Sequence, residues 1–355
     1  MLLILATTAC NWFHPQALTE ADRRALAVRF KNVVTDAGGA QVWIKHPAKG
    51  YRRQSPDTLQ VLVTPTAYPT VLSRVQQESD KESLDVGTSA LNAGSGLRAV
   101  TLNVTERGQR IIQIHLREVP RLLRAAIVID DMGNDLEAAH KLLALNYPLT
   151  FSVLPYLRYT QITAQEAHRS GHEVMLHLPM EPQRNTHASP GEGAILLGMN
   201  AAEVQRVVQN DLDSVPYAAG VNNHMGSRAT RDAALMAEVM KILADHRLYF
   251  IDSRTTAEST ALDEARRQRL PAFYRAVFLD DTETVAYTLG QLQELRHTVE
   301  QEGMALAIGH PHPTTIAALA KFLPELERAD IEMVAPSQIV HLPEVARLHP
   351  PASTK

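Results

Sequence analysis

The run Ala125-Ala126-Ile127-Val128-Ile129-Asp130-Asp131-Met132-Gly133 decides the reading of this chain. Its apolar start, rich in β-branched side chains, predicts a buried strand. Two adjacent carboxylates then end that strand. Packing gives no reason for them, because a buried charge is costly unless it is paired or bound to metal. A metal would hold one carboxylate ionised while the other served as a base. Working outward, apolar β-rich runs alternate with amphipathic helical patterns along the rest of the chain. The expected strands are 125–130, 149–154, 173–178, 218–223, 248–252, 274–279, 304–309 and 331–335. Between them, Asn200 and Glu203 have the spacing of a capping pair, and Gly171 and Gly303 follow helical patterns where a left-handed cap belongs. Strict alternation implies parallel strands with right-handed crossovers. Eight strands over about 210 residues suit a closed or nearly closed (β/α) barrel. An open doubly wound sheet is the alternative, but Met132-Gly133-Asn134 is no dinucleotide fingerprint.

Composition bounds the rest. The chain has 355 residues, 45% hydrophobic and 21% charged, enough for a barrel plus a second globular unit. A net charge of -4 and only 5% aromatic residues give no support to nucleic-acid binding. The basic cluster Arg266-Arg267-Gln268-Arg269 reads as a solvated helix face. Cys10 has no second cysteine to pair with, so neither an intrachain disulfide nor a multi-thiolate metal site can form. Residues 2–9 are apolar or small, and Ala9-Cys10-Asn11 resembles the end of a lipoprotein signal, with lipid attached to Cys10. The plainer reading is the stub of an ordinary signal. Both imply export to the periplasm or cell envelope, and the lipid would anchor the chain to a membrane. No run reaches the ~18 apolar residues of a spanning helix. The expected organisation is a signal segment at 1–16, a small α+β domain at 17–117, the barrel at 118–345 and a disordered tail at 346–355. The front domain has a helix at 17–33, strands at 41–45, 58–64, 97–104 and 109–116, and a short helix at 70–77. Residues 78–96, rich in Ser, Asp, Gly and Asn, read as loop. His46 and His115 there are isolated and read as structural or surface residues.

In parallel α/β folds the C-terminal strand ends converge on one face, where active sites form. That rule gathers scattered positions into one site. Asp130 and Asp131 end the first strand, His177 the third and Asp252 the fifth, while His224 follows the fourth and His310 and His312 the seventh. Taken singly, each has a bland reading as a hydrogen-bonded strand end, and Asp252 as a turn cap through Ser253. His172 is expected to face away from His177 or to cap the strand start. His168, His187, His246 and His297 lie in helical or loop stretches and are expected to face water. Arg228 and Arg254 are ion-pair partners for the acids or substrate contacts. An Asp with two His is a common shell for a divalent metal, Zn²⁺ by default. Such a metal acidifies water, a nearby carboxylate takes the proton, and a His protonates the leaving amine. That set hydrolyses an amide or ester.

These residues bring out a resemblance. The segment 124–342 resembles the divergent polysaccharide deacetylases, the YibQ-like branch of the NodB-homology superfamily. Ile129-Asp130-Asp131-Met132-Gly133 is similar to the family's opening Asp-Asp motif. That likeness implies Asp130 as base and Asp131 as metal ligand. Gly171-His172-Glu173 through His177 is similar to the second motif, which makes His177 the first metal-binding His. Asn222-Asn223-His224-Met225-Gly226-Ser227 resembles a branch-specific motif. Ile308-Gly309-His310-Pro311-His312 resembles the last motif, which makes His310 the general acid. The implied fold is a distorted (β/α) barrel of seven to eight strands. Two departures stand out. Glu181 occupies the position of the superfamily's second metal His, so either Glu181 or His224 completes the shell. The Arg-containing third motif is not evident at its expected place, and Arg228 is only a loose substitute. Glu181, Asp252, Arg228 and His312 therefore remain candidates for metal or substrate contact.

The leading expectation is a metal-dependent hydrolase of the cell envelope that removes N-acetyl groups from a polysaccharide or peptidoglycan strand. The alternative is a catalytically degenerate barrel that binds envelope glycan or a partner protein. A metal-dependent amidase acting on peptide crosslinks is the third.

Overall fold

The computed structural model describes residues 18–38, 40–45, 56–91, 97–183 and 189–340. Segment 1–16 with Cys10, His46, His187 and the tail 346–355 lie outside the described residues. The chain divides into two compact units, Met1–Leu122 and Leu123–Lys355. Among the described residues no helix is long and apolar enough to cross a membrane.

The first unit contains α1 (Glu20–Asp36), β1 (Ala40–Lys45), β2 (Asp57–Val63), α2 (Tyr68–Lys81), β3 (Asp85–Leu91), β4 (Ala99–Glu106) and β5 (Gln109–Glu118). Its sheet runs β1-β2-β5-β4-β3. β2 and β5 are parallel, and the other pairs are antiparallel. Thr19 and Asp22 form a capping box at the start of α1. Leu26, Phe30 and Val34 make that helix's buried stripe at the i, i+4 spacing, packed in one cluster with Leu59, Val61, Ile112, Ile114 and Leu116 of the sheet. β3 corrects the sequence reading of 78–96 as loop. Its residues 85 and 87–89 are exposed, and it is an edge strand held by antiparallel pairing to β4. Polar composition hides such a strand, because pairing rather than burial holds it in place.

The second unit alternates strands and helices: β6 (Leu123–Met132), α3 (Leu136–Leu143), β7 (Thr150–Val153), α4 (Thr160–Arg169), β8 (Val174–Met180), α5 (Ala201–Ser214), β9 (Ala218–Met225), α6 (Ala233–Asp245), β10 (Tyr249–Asp252), α7 (Ala261–Arg267), β11 (Ala272–Tyr274), β12 (Val277–Phe278), α8 (Val285–Glu302), β13 (Met304–Gly309), α9 (Pro313–Arg328), β14 (Ile331–Met333) and α10 (Pro336–Val340). The strands pair in parallel in the order β11-β10-β9-β8-β7-β6-β13-β12, and β14 pairs the start of β6. Helix ends follow the expected chemistry. Asn200 and Glu203 form a reciprocal capping box before α5, and Gly303 ends α8 at φ 88°. β8 and β13 are buried along their whole length, as strands covered on both faces must be.

Expected strand 274–279 is really two short strands with a break, and the break closes the barrel. β11 and β12 stand at opposite edges of the sheet, yet only Arg275 and Ala276 separate them. The Arg275 backbone N–H donates to the Asp252 carbonyl of β10 at 2.9 Å, and the Ala276 N–H donates to the Leu306 carbonyl of β13 at 2.8 Å. Consecutive residues thus bond to the two strands that flank the seam. The result is a curled, closing barrel with β14 appended, the distorted (β/α) barrel of seven to eight strands.

Candidate metal centre and active site

A regular strand sends adjacent side chains to opposite faces. Asp130 and Asp131 escape that rule through a bulge. Ile129 pairs with Phe151 and Met132 with Val153, so the two aspartates together oppose Ser152 alone. Asp131 takes φ 55°, a left-handed conformation that Asp tolerates better than most residues. Both carboxylates then turn toward the same imidazole. His177 Nε2 lies 3.2 Å from Asp131 Oδ1 and 3.6 Å from Asp130 Oδ2.

His224 reaches the same point from β9, one strand over from His177 on β8. Its Nδ1 lies 3.0 Å from Asp131 Oδ1 and 3.1 Å from His177 Nε2. Three ligating atoms therefore converge with mutual separations of 3.0–3.2 Å. Donors held about 2.0–2.2 Å from one shared cation would stand about this far apart. Asp131 Oδ1 is buried and has no hydrogen-bond partner, despite its two nitrogen neighbours. An acceptor stranded among imidazole nitrogens fits a divalent cation, and Asp131, His177 and His224 are placed so that they could hold one. Burial pushes the Asp131 carboxyl up, but the His177 and His224 imidazoles outweigh it and hold it well below the carboxylate range. Burial likewise disfavours a charged His177, and the Asp130 and Asp131 carboxylates more than offset that.

Around the triad, Asn222 Nδ2 donates to Asp130 Oδ1 at 2.8 Å, and Asn222 Oδ1 accepts from His177 Nδ1 at 2.9 Å. Asn223 braces the end of β9 from the other side: Ser253 N donates to its Oδ1 at 2.9 Å, and its Nδ2 donates to the Met225 carbonyl at 2.9 Å. Arg275, in the seam, donates from Nε to the Ser253 carbonyl and from Nη2 to the Arg254 carbonyl. Burial pulls its guanidinium down from the usual range, while the charges of Asp130 and Asp252 act the other way.

His310 follows β13, and its Nε2 lies 3.9 Å from Asp131 Oδ2. Its Nδ1 is bound to Asp280 Oδ1 at 2.9 Å. Asp280 is itself held, accepting the His310 backbone N–H and the Thr315 hydroxyl on Oδ2. Burial alone would pull His310 down, but the bond to Asp280 and the nearby carboxylates push it up to about 9. Burial raises the Asp280 carboxyl, and its bond to His310 more than reverses this. His312 lies beside His310, ring centroids 5.7 Å apart, and forms a looser cluster with Asp280 and His310.

Asp130, Asp131, His177, His224, His310 and His312 thus come together. Other expected contributors do not. Glu181 is committed elsewhere: Oε1 pairs with Arg228, and Oε2 accepts the Leu197 N–H at 2.7 Å. It staples the 189–200 loop, so His224 rather than Glu181 joins Asp131 and His177. Arg228, spent on Glu181, does not stand in for the third-motif arginine either. Asp252 caps its own loop, accepting from the Arg254 N–H and the Ser259 hydroxyl, each at 2.9 Å. Burial pushes that carboxyl up. Sequence reasoning passed over Asp280, Arg275 and the separate part played by Asn222. For Asp280 a signal was present, because Asp280-Asp281 follows an apolar run just as Asp130-Asp131 does.

Comparison with known proteins agrees with this architecture. The family model for divergent polysaccharide deacetylases matches residues 127–340. The uncharacterized protein YibQ of Escherichia coli is 35% identical over 228 residues, 64% of this chain and 70% of its own. An uncharacterized protein of Haemophilus influenzae is 37% identical over 211 residues, 59% of this chain and 74% of its own. The crystal structure of an uncharacterized protein from Agrobacterium tumefaciens superposes with a TM-score of 0.59 at 26% identity, covering 62% of this chain and 89% of its own.

Proposed function

This chain belongs to the divergent polysaccharide deacetylase family, and on that premise we propose that it is a metal-dependent hydrolase of the cell envelope that removes N-acetyl groups from a polysaccharide or peptidoglycan strand. The observation that carries the reading is the convergence of Asp131, His177 and His224 between the Asp130 carboxylate and the His310 imidazole. The triad would hold the cation, with Zn²⁺ the ion its oxygen-and-nitrogen donor set favours. When bound, a divalent cation supplies Lewis acidity, making water a stronger acid and an amide carbonyl a better electrophile.

The chain's own residues divide the remaining work. Asp130 stands against His177 and acts as general base toward the attacking water. Its Oδ1 is taken up by Asn222, which leaves Oδ2 for the proton. His310 stands against Asp131, on a different member of the triad. Held by Asp280, it carries a proton at neutral pH and delivers it to the leaving amine nitrogen.

Two departures from the superfamily pattern motivated the reading as a binding module without turnover. Two features of the fold weigh against it: His224 stands 3.0 Å from Asp131 where Glu181 does not reach, and the charge of Asp130 acts on Arg275 in the seam. Export and lipid attachment at Cys10 belong to the proposal and rest on residues 1–10 alone.

The test is acetate release from N-acetylated glycan oligomers and peptidoglycan fragments by the Zn²⁺-loaded chain. Wild type should release acetate, and Asp130→Asn should lower the rate by about 100-fold or more while keeping its metal. Release of peptide without acetate would point to the amidase. Glycan binding that survives both Asp130→Asn and His177→Ala, with no acetate from wild type, would replace the hydrolase with the binding module.

A further inference from the structure

We propose that Asn222 is a positioning residue that ties the metal-binding imidazole to the base carboxylate through one buried amide, an inference that rests on the hydrolase reading above. Asn222 is fully buried, and its amide is used to capacity. Oδ1 accepts from His177 Nδ1 at 2.9 Å and from the Ser152 hydroxyl at 2.6 Å. Nδ2 donates to Asp130 Oδ1 at 2.8 Å and to the Ser253 hydroxyl at 3.1 Å. These partners come from β6, β7, β8 and the end of β10, and they converge on one side chain of β9.

The direction of each bond follows from the one before it. Asp130 Oδ1 lies 2.8 Å from the amide and accepts, so the amide turns its NH₂ toward that carboxylate. The amide oxygen then faces His177, and only an N–H at Nδ1 makes that contact favourable. A neutral imidazole with its hydrogen on Nδ1 carries its lone pair on Nε2, the atom aimed at Asp131 and His224. Asn222 therefore selects the ligating tautomer of His177 and fixes one oxygen of Asp130 with the same group. Ser152, the residue opposite the bulge, donates to the same amide oxygen and locks its plane. No other side chain of this size offers both a donor pair and an acceptor here. Asp keeps the acceptor and loses the donors, and Leu keeps the shape and loses both.

Asn222→Asp and Asn222→Ala separate the two halves. Zn²⁺ affinity would be measured by competition with a chromophoric chelator, acetate release on the same samples, and folding by thermal melting. In Asn222→Asp the new carboxylate still accepts from His177 but meets Asp130 with like charge. Zn²⁺ affinity should stay within about threefold of wild type or tighten, while acetate release falls by about 100-fold or more. In Asn222→Ala the imidazole loses its orienting partner, and Zn²⁺ affinity should fall by about 10–100-fold as well. Wild-type Zn²⁺ affinity in a folded Asn222→Ala, or wild-type acetate release by Asn222→Asp, overturns the proposal. Should the alanine variant fail to fold, the aspartate variant decides: retained Zn²⁺ with lost release supports the tie, and any other combination overturns it. Should wild type bind Zn²⁺ and release no acetate, the hydrolase reading fails, and the Zn²⁺ affinities alone judge the link from Asn222 to His177.

Discussion

Asp280 sets the protonation of His310 from a position that touches neither the triad nor the base. Its carboxylate spans the His310 ring and backbone, and the Thr315 hydroxyl steadies it. A general acid works only while it holds its proton, so the alkaline limb of turnover should follow His310, whose titration lies near 9. Asp280→Asn removes the charge that sustains the imidazolium. His310 then falls back toward its ordinary value of 6.5, and the alkaline limb should move to lower pH. A pH profile of acetate release checks this, and an unmoved limb would remove Asp280 from the mechanism. At this scale the convergence of Asp130, Asp131, His177, His224 and His310 was largely legible, because each ends or follows an apolar run. Asn222 stood in a motif that sequence could quote but not interpret. Its partners lie 31 to 92 residues away, and only the fold makes them neighbours.

Among the elements, the deviations from regular strand geometry make the site. The bulge in β6 turns both carboxylates to one side, and the break between β11 and β12 places Arg275 where the barrel closes. Neither was legible, since a bulge depends on register with β7 and the seam on two strands far along the chain. The regular strands were readable from their apolar runs, because burial on both faces leaves a continuous hydrophobic signature. β3 was not, for the opposite reason. The packing of β9 against β10 gives a local test. A Cβ built on Gly220 would stand 2.3 Å from the Tyr249 ring. That ring cannot easily swing away, because it is buried and its hydroxyl donates to Glu173 Oε1 at 2.6 Å. Gly220→Ala should therefore destabilise the fold by about 1–3 kcal/mol, measured by chemical denaturation. A change under about 0.5 kcal/mol would mean that the strands separate more readily than this packing allows.

Across the whole molecule, alternation of strand and helix was enough to specify the barrel, and barrel topology was enough to gather its strand ends. Residues from Asp130 to His310 meet because parallel strands all finish on one face. Every residue assigned a part in the chemistry lies in the second unit, Leu123–Lys355. The central claim is that Asp131, His177 and His224 hold one divalent cation. The most direct measurement is the zinc content of the purified full-length chain beside its His177→Ala variant, after loading with Zn²⁺ and removal of unbound ion. The account predicts about one Zn²⁺ per wild-type chain and essentially none retained by the folded variant. Equal zinc in both proteins, or none in either, would contradict it.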